Sequence, residues 1–107
     1  MKIVTAFVHR GRVSDIVHTL EAAGLRYLTV IDVKGLLKAI SSQEEHYSID
    51  LGEKVTDEIK LELICEEVEV SSAIQIITQQ ARTGQAVAGL IYVTAVESYQ
   101  VINGLQP

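Results

Sequence analysis

Ile76-Ile77-Thr78-Gln79-Gln80-Ala81-Arg82-Thr83-Gly84, closed by Gly89-Leu90-Ile91-Tyr92-Val93, is the stretch on which the reading of this chain turns. It has the pattern of the last turns of an amphipathic helix, a tight glycine-bounded loop, and a buried strand. Backbone N–H groups in such a loop, joined by the Arg82 guanidinium and the Thr83 hydroxyl, can cradle an anion. Thr-Gly also serves simply to stop a helix, because glycine takes the left-handed cap conformation without a Cβ penalty. These residues alone leave both readings open, and context narrows them. A strand ends in Asp32-Val33-Lys34-Gly35, and a long polar stretch follows before the next strand, Glu58-Ile59-Lys60-Leu61-Glu62-Leu63-Ile64.

Working outward, Lys2 to His9 is short and rich in β-branched residues and predicts a strand, broken by Arg10-Gly11-Arg12. Val13, Ile16, Val17 and Leu20 form one face of a helix that Gly24 ends. Tyr27 to Lys34 predicts a second strand, with Leu28, Val30 and Asp32 on one face and Thr29, Ile31 and Val33 on the other. Residues 36–57 hold no periodicity, and a loop of that length in a compact domain is usually functional or disordered. Ile59 to Glu66 alternates as a third strand, and Val70, Ala73, Ile74, Ile77 and Ala81 mark a second helix face. Leu90 to Val96 is the fourth strand, and Val101-Ile102-Asn103-Gly104 is a candidate for one more, paired with a neighbouring copy. The order β-α-β-β-α-β predicts an α+β, ferredoxin-like sandwich: two helices on one face of a four-stranded antiparallel sheet, in a single domain over 1–107.

Composition limits what such a domain does. The chain has 107 residues, 48 % of them hydrophobic, with no tryptophan and one phenylalanine, so its core is aliphatic and small. Burial against copies of itself would add to that core and favours an oligomer. A net charge of −5 argues against a general nucleic-acid or anionic-membrane binder, but not against one small anion in a local basic pocket. The single cysteine, Cys65, excludes an intrachain disulfide framework and reads as a small packed residue. No apolar run approaches the length of a membrane span and no signal-peptide core is present, so the expectation is a cytoplasmic protein without membrane insertion.

Several chemistries fit poorly. Val8-His9-Arg10-Gly11-Arg12-Val13 resembles the arginine-bearing anion loop of ferredoxin-like acylphosphatases, but these need an asparagine to position water, and Asn103, in the tail, is the only one here. His9, His18 and His46 form no pair at ligand spacing, so no metal site is expected. Glu66-Glu67-Val68-Glu69 reads as a solvated turn before a helix N-terminus, where acidic residues are favourable. Recognition of RNA on the sheet needs paired aromatics on the central strands, and Tyr92 is the only aromatic on the third or fourth strand. A ligand-sensing module remains, with loop 82–89 holding an anion and loop 36–57 as reporter, against the alternative that 36–57 is an unconstrained insertion.

The opening Met1-Lys2-Ile3, the helix ending at Gly24, Thr29-Val30 through Val33-Lys34-Gly35, the long loop, Ile59-Lys60-Leu61-Glu62 and Ala81-Arg82-Thr83-Gly84 match in order and spacing the PII family of signal-transduction proteins. The chain resembles a divergent, PII-like member over nearly its whole length. The resemblance implies a non-enzymatic homotrimer that binds an adenine nucleotide in clefts between subunits. It signals to a protein target, a transporter or an enzyme, through the long loop, the T-loop (36–57). By position, Thr29 and Ile64 match adenine contacts, with Phe7 as an apolar wall. Gly35 and Lys38 match the T-loop base near the phosphates, and Arg82, Thr83, Gly84 and Gly89 match the phosphate-binding B-loop.

Departures from the family pattern reshape the expectation. The B-loop lysine is Leu90, and the two C-terminal phosphate-binding arginines are Val101 and Asn103. Each charge-assisted hydrogen bond contributes roughly 1.5–3 kcal/mol, so ADP or AMP suits the depleted site better than ATP. The family's 2-oxoglutarate positions hold Ala39, Glu58 and Val87, and a glutamate repels a dicarboxylate. Leu51 replaces the modifiable T-loop tyrosine, and Tyr47 nearby matches no modification motif. These losses, with the retained Lys38 and Arg82, direct the reading to PII-like relatives tied to carbon metabolism, including carboxysome-linked and bicarbonate-transporter-linked members, with bicarbonate as co-effector. The alternative is a CutA-like trimer that binds metal or acts as a ligand-free interaction module.

Overall fold

The structure, a computed structural model, describes residues 1–33 and 58–104. Four strands and two α-helices alternate as β1 (Lys2–His9), α1 (Val13–Ala22), β2 (Leu28–Asp32), β3 (Glu58–Cys65), α2 (Val70–Gln80) and β4 (Gly89–Ala95). The strands form one sheet in the order β2-β3-β1-β4, and every neighbouring pair is antiparallel. This is the α+β ferredoxin-like arrangement that the order of elements predicts. Gly35, Lys38 and the loop expected over 36–57 lie outside the described residues.

Alternation along the central strands sets the two faces. Val4, Ala6 and Val8 of β1 and Ile59, Leu61, Leu63 and Cys65 of β3 are buried with Ile16, Leu20, Ala73 and Ile77 of the helices. The intervening residues Ile3, Thr5 and Phe7 of β1, and Lys60, Glu62 and Ile64 of β3, therefore lie on the face away from the helices. Phe7 and Thr5 are nevertheless buried there. The Tyr92 ring stands 6.3 Å from the Phe7 ring, and the Lys60 ammonium lies 6.0 Å from its centroid, within cation–π reach.

Local chemistry fixes the helix ends. Gly24 takes φ +85°, its N–H donates to the Glu21 carbonyl, and the Leu25 N–H donates to the Leu20 carbonyl. That is a Schellman closure, with Leu25 and Leu20 both buried as its hydrophobic contact. Ahead of α2, Glu67–Glu69 form a 3-10 turn in which Glu69 Oε1 accepts the Glu66 N–H at 2.9 Å, one half of a reciprocal capping box. The acidic run is thus a helix entry, as the sequence suggests.

Two details differ from expectation, and a third concerns the tail. Arg10–Arg12 do not simply break β1 but form a 3-10 turn that leads directly into α1. β2 is shorter than Tyr27–Lys34, because its ladder with β3 runs only from Leu28↔Leu63 to Asp32↔Ile59. Residues 101–104, expected to pair with a neighbouring copy, form no strand within the chain itself, and Val101 and Ile102 are exposed.

Candidate functional site

The loop expected to hold an anion, 82–89, leaves the C-terminus of α2. Ala81 N–H closes the last turn on the Ile77 carbonyl at 2.9 Å. The Gln80 carbonyl, an orphan acceptor at the helix end, receives Arg12 Nε–H at 2.7 Å. Arg12 also meets Asp15 at 3.1 Å, so one guanidinium ties the start of α1 to the point where the loop leaves α2. The sequence marks Arg12 only as part of a strand break and of an ill-fitting anion loop: Gln80 lies far away in the chain, and no local spacing signals this contact.

Beyond Ala81, Arg82 and Thr83 are exposed and Gly84 turns the chain at φ +88°. Thr83 Oγ1 accepts the Gln85 N–H at 3.3 Å, which leaves its own hydroxyl hydrogen to donate elsewhere. The loop therefore offers a cation and a hydroxyl at one exposed corner.

Gly89 has a second reason to be glycine. A Cβ there would stand 2.6 Å from the Phe7 carbonyl oxygen, inside contact distance of β1 backbone. Close approach of β4 to β1 at the exit of the loop demands a residue without a side chain, whatever ligand binds.

Between α2, the loop and β4 runs a cleft of about 600 Å³. Ile74, Ile77, Ala81, Leu90 and Ile91 form much of its wall, and Arg82 is the charged residue among the described residues that line it. Arg82, Thr83, Gly84 and Gly89 are thus brought together as the sequence groups them.

Thr29 and Ile64 sit elsewhere. Thr29 pairs with Glu62 across β2 and β3, and Ile64, two residues beyond Glu62, shares that face. Ile64 N–H donates to the Tyr27 carbonyl at 2.9 Å, and Lys60 reaches Glu62 at 3.4 Å. Phe7 is on the same face but opposite Lys60, four residues from Ile64 along β3. Ile64 pairs with Ile3 of β1, whereas Gly89 pairs with Val8. Those β1 positions are about 17 Å apart along the strand, and Ile64 and Gly89 are about 10 Å apart across two strand spacings. Within one chain Thr29 and Ile64 are thus separate from the loop residues, whereas Phe7, paired with Leu90, lies beside Gly89.

The chain matches the family model described as Nitrogen regulatory protein P-II over residues 1–104. It belongs to the PII family. Relatives include Nitrogen regulatory protein P-II 1 of Methanothermobacter thermautotrophicus, 29% identical over 96 residues, 90% of this chain and 84% of that protein. The Nitrogen regulatory protein P-II of Porphyra purpurea is 28% identical over 103 residues, 96% of this chain and 90% of its own length. A P-II homolog of Arabidopsis thaliana is 33% identical over 94 residues, 87% of this chain and 48% of that protein. The chain is accordingly a PII-like signalling protein from a family of regulators. Among the described residues, no helix is long and apolar enough to cross a membrane.

The positions that depart from the PII pattern have distinct surroundings. Leu90 lines the apolar cleft, where a lysine would have added a second cation. Val101 and Asn103 are in the exposed tail. Glu58 is buried at the start of β3, opposite His9. At the same end of the sheet Arg10 Nη2 donates to Asp32 Oδ1, so the ends of β1 and β2 are bridged just before residue 33. Cys65 is buried at the end of β3, where burial first, and then the Glu69 and Glu66 carboxylates, raise its thiol pKa. A thiol held neutral in this way is a packing residue rather than a nucleophile. Among the described residues, no group of three or more His, Cys, Asp or Glu is placed to hold a metal ion.

Proposed function

We propose that this PII-like protein is a homotrimeric, cytoplasmic, non-enzymatic sensor that binds an adenine nucleotide between subunits and signals through residues 36–57 to a protein target. The observation that carries this reading is the separation between the two groups of site residues. Thr29 and Ile64 lie too far from Arg82–Gly89 for one nucleotide to touch both within a chain, so a shared site takes them from two copies. The base would rest against the Thr29 and Ile64 side of one subunit. The phosphate would meet Arg82, Thr83 and the backbone about Gly84 and Gly89 of the next, with Gly35 and Lys38 closing from the T-loop base. Phe7, on the sheet face away from the helices and beside Gly89, would supply an apolar wall.

Charge sets the preference. With Leu90, Val101 and Asn103 in place of three cations, the site neutralises few phosphate charges, which favours AMP or ADP over ATP. A buried glutamate at position 58 disfavours 2-oxoglutarate, and bicarbonate, a small monoanion, is the co-effector proposed. Binding would shift the T-loop between conformations of different fit to the target. The test is calorimetric titration of the trimer, its mass fixed by light scattering, with AMP, ADP and ATP, each with and without bicarbonate or 2-oxoglutarate. Micromolar binding of AMP or ADP, weaker binding of ATP and no response to 2-oxoglutarate are expected. A monomeric mass, or no response to any nucleotide, would defeat the reading.

A further inference from the structure

The cleft between α2 and β4 has a character that phosphate binding does not explain. An anion loop needs a rim of donors, yet here the rim opens onto a trough walled by Ile74, Ile77, Ala81, Leu90 and Ile91. Its volume of about 600 Å³ is that of a small-molecule site. Arg82 is the one cation among the described residues that line it, Thr78 and Thr83 add hydroxyls and Gln85 an amide, and no acidic side chain among the described residues lines it. Apolar walls with a single cation at one end are complementary to an amphiphile with an aliphatic body and one negative charge. A polyphosphate would leave most of the trough unfilled and most of its own charge unneutralised.

We propose that the α2–β4 cleft binds a medium-chain carboxylate, its carboxylate paired with Arg82 and the Thr83 hydroxyl and its chain lying between Ile74, Ile77, Leu90 and Ile91. The proposal rests on the reading of residues 82–89 as an anion loop and adds a second ligand class to it. Because both ligands engage Arg82, the carboxylate and a nucleotide phosphate exclude one another.

The probe is octanoate, titrated into the full-length protein by calorimetry beside butanoate, hexanoate, octan-1-ol and octylammonium. Each added methylene should tighten binding about fourfold until the trough is full. Octylammonium should not bind. Arg82→Gln should weaken octanoate about tenfold while leaving octan-1-ol unchanged. Ala88→Phe, which fills the trough without adding charge, should abolish both. Arg82 is exposed, so its replacement leaves the fold intact and keeps the test decisive if Ala88→Phe misfolds.

A flat chain-length series, or equal binding of octanoate and octylammonium, would overturn the proposal. So would octanoate binding that emerges only after Val101→Asp and Ile102→Asp in the tail, because the trough would then belong to the tail. AMP binding without octanoate binding sinks this inference and spares the nucleotide reading. Octanoate binding without AMP binding does the reverse.

Discussion

Replacing Gly89 with alanine separates packing from ligand contact at a position where either could require glycine. The new Cβ would lie 2.6 Å from the Phe7 carbonyl oxygen. An ordinary contact needs about 3.4 Å or more, so β4 must move away from β1 by roughly 0.8 Å at the exit of the loop. Neither side of the contact is a flexible side-chain tip: both are backbone in a paired ladder, Val8↔Gly89. β4 is an edge strand and can yield, which keeps the cost within the usual range for overpacking, about 1–3 kcal/mol. For a chain of this size that is a fall in Tm of roughly 4–12 °C. The assay is thermal unfolding of the ligand-free protein by circular dichroism, with Gly84→Ala as comparison. A methyl group at Gly84 would meet nothing within 4 Å, and only the left-handed φ of +88° opposes the change. The cost there is about 1 kcal/mol. Gly89→Ala should be the more destabilising of the two. An unchanged Tm for ligand-free Gly89→Ala would refute the packing argument and leave phosphate approach as the reason for the glycine.

Other consequences follow from the same contacts. Arg12→Ala removes the donor from the Gln80 carbonyl and the partial pairing with Asp15. It should cost about 1–2 kcal/mol in urea unfolding, the half-exposed ion pair adding little. Glu69→Ala opens the capping box and should cost about 1 kcal/mol, with amide exchange rising in the first turn of α2 rather than in the sheet. Cys65 gives a pH dependence whose sign is fixed by its raised folded pKa. In the unfolded chain the thiol ionises first, so stability is complete below the ordinary thiol pKa and falls as pH rises through the folded value. Cys65→Ala should flatten that alkaline fall, and an identical pH profile would argue against the assignment.

Much of the fold was legible because its signals are local. β-branched alternation over 2–9 and 59–66 and the 3.6-residue spacing from Val13 and from Val70 name elements directly, and Gly24 announces its own cap. What was illegible depends on partners distant in sequence. The length of β2 is set by its ladder with β3, from Leu28↔Leu63 to Asp32↔Ile59, which the spacing of residues 27–34 does not reveal. A strand at 101–104 requires a neighbour that a single sequence does not display. The same holds for the site. Arg82, Thr83 and Gly84 could be grouped from adjacency alone, and Gly89 from the loop's length. The link from Arg12 to Gln80, the backbone contact that forces glycine at 89, and the apolar trough behind the loop come from tertiary packing. Thr29 and Ile64 were carried by resemblance, and only the register shows that they sit apart from the loop.

The central claim is that two groups of residues, separate in one chain, combine across copies into an adenine-nucleotide site poor in cations. Calorimetric titration of mixed oligomers tests it most directly. Chains bearing Thr29→Trp, which blocks the base side, are co-assembled with chains bearing Arg82→Glu, which repels the phosphate, and AMP is added. Each variant alone should fail to bind. The mixture should regain a fraction of the wild-type stoichiometry, because some interfaces pair an intact base side with an intact loop. A mixture as inert as its two parents, made from subunits shown to exchange, would contradict the account.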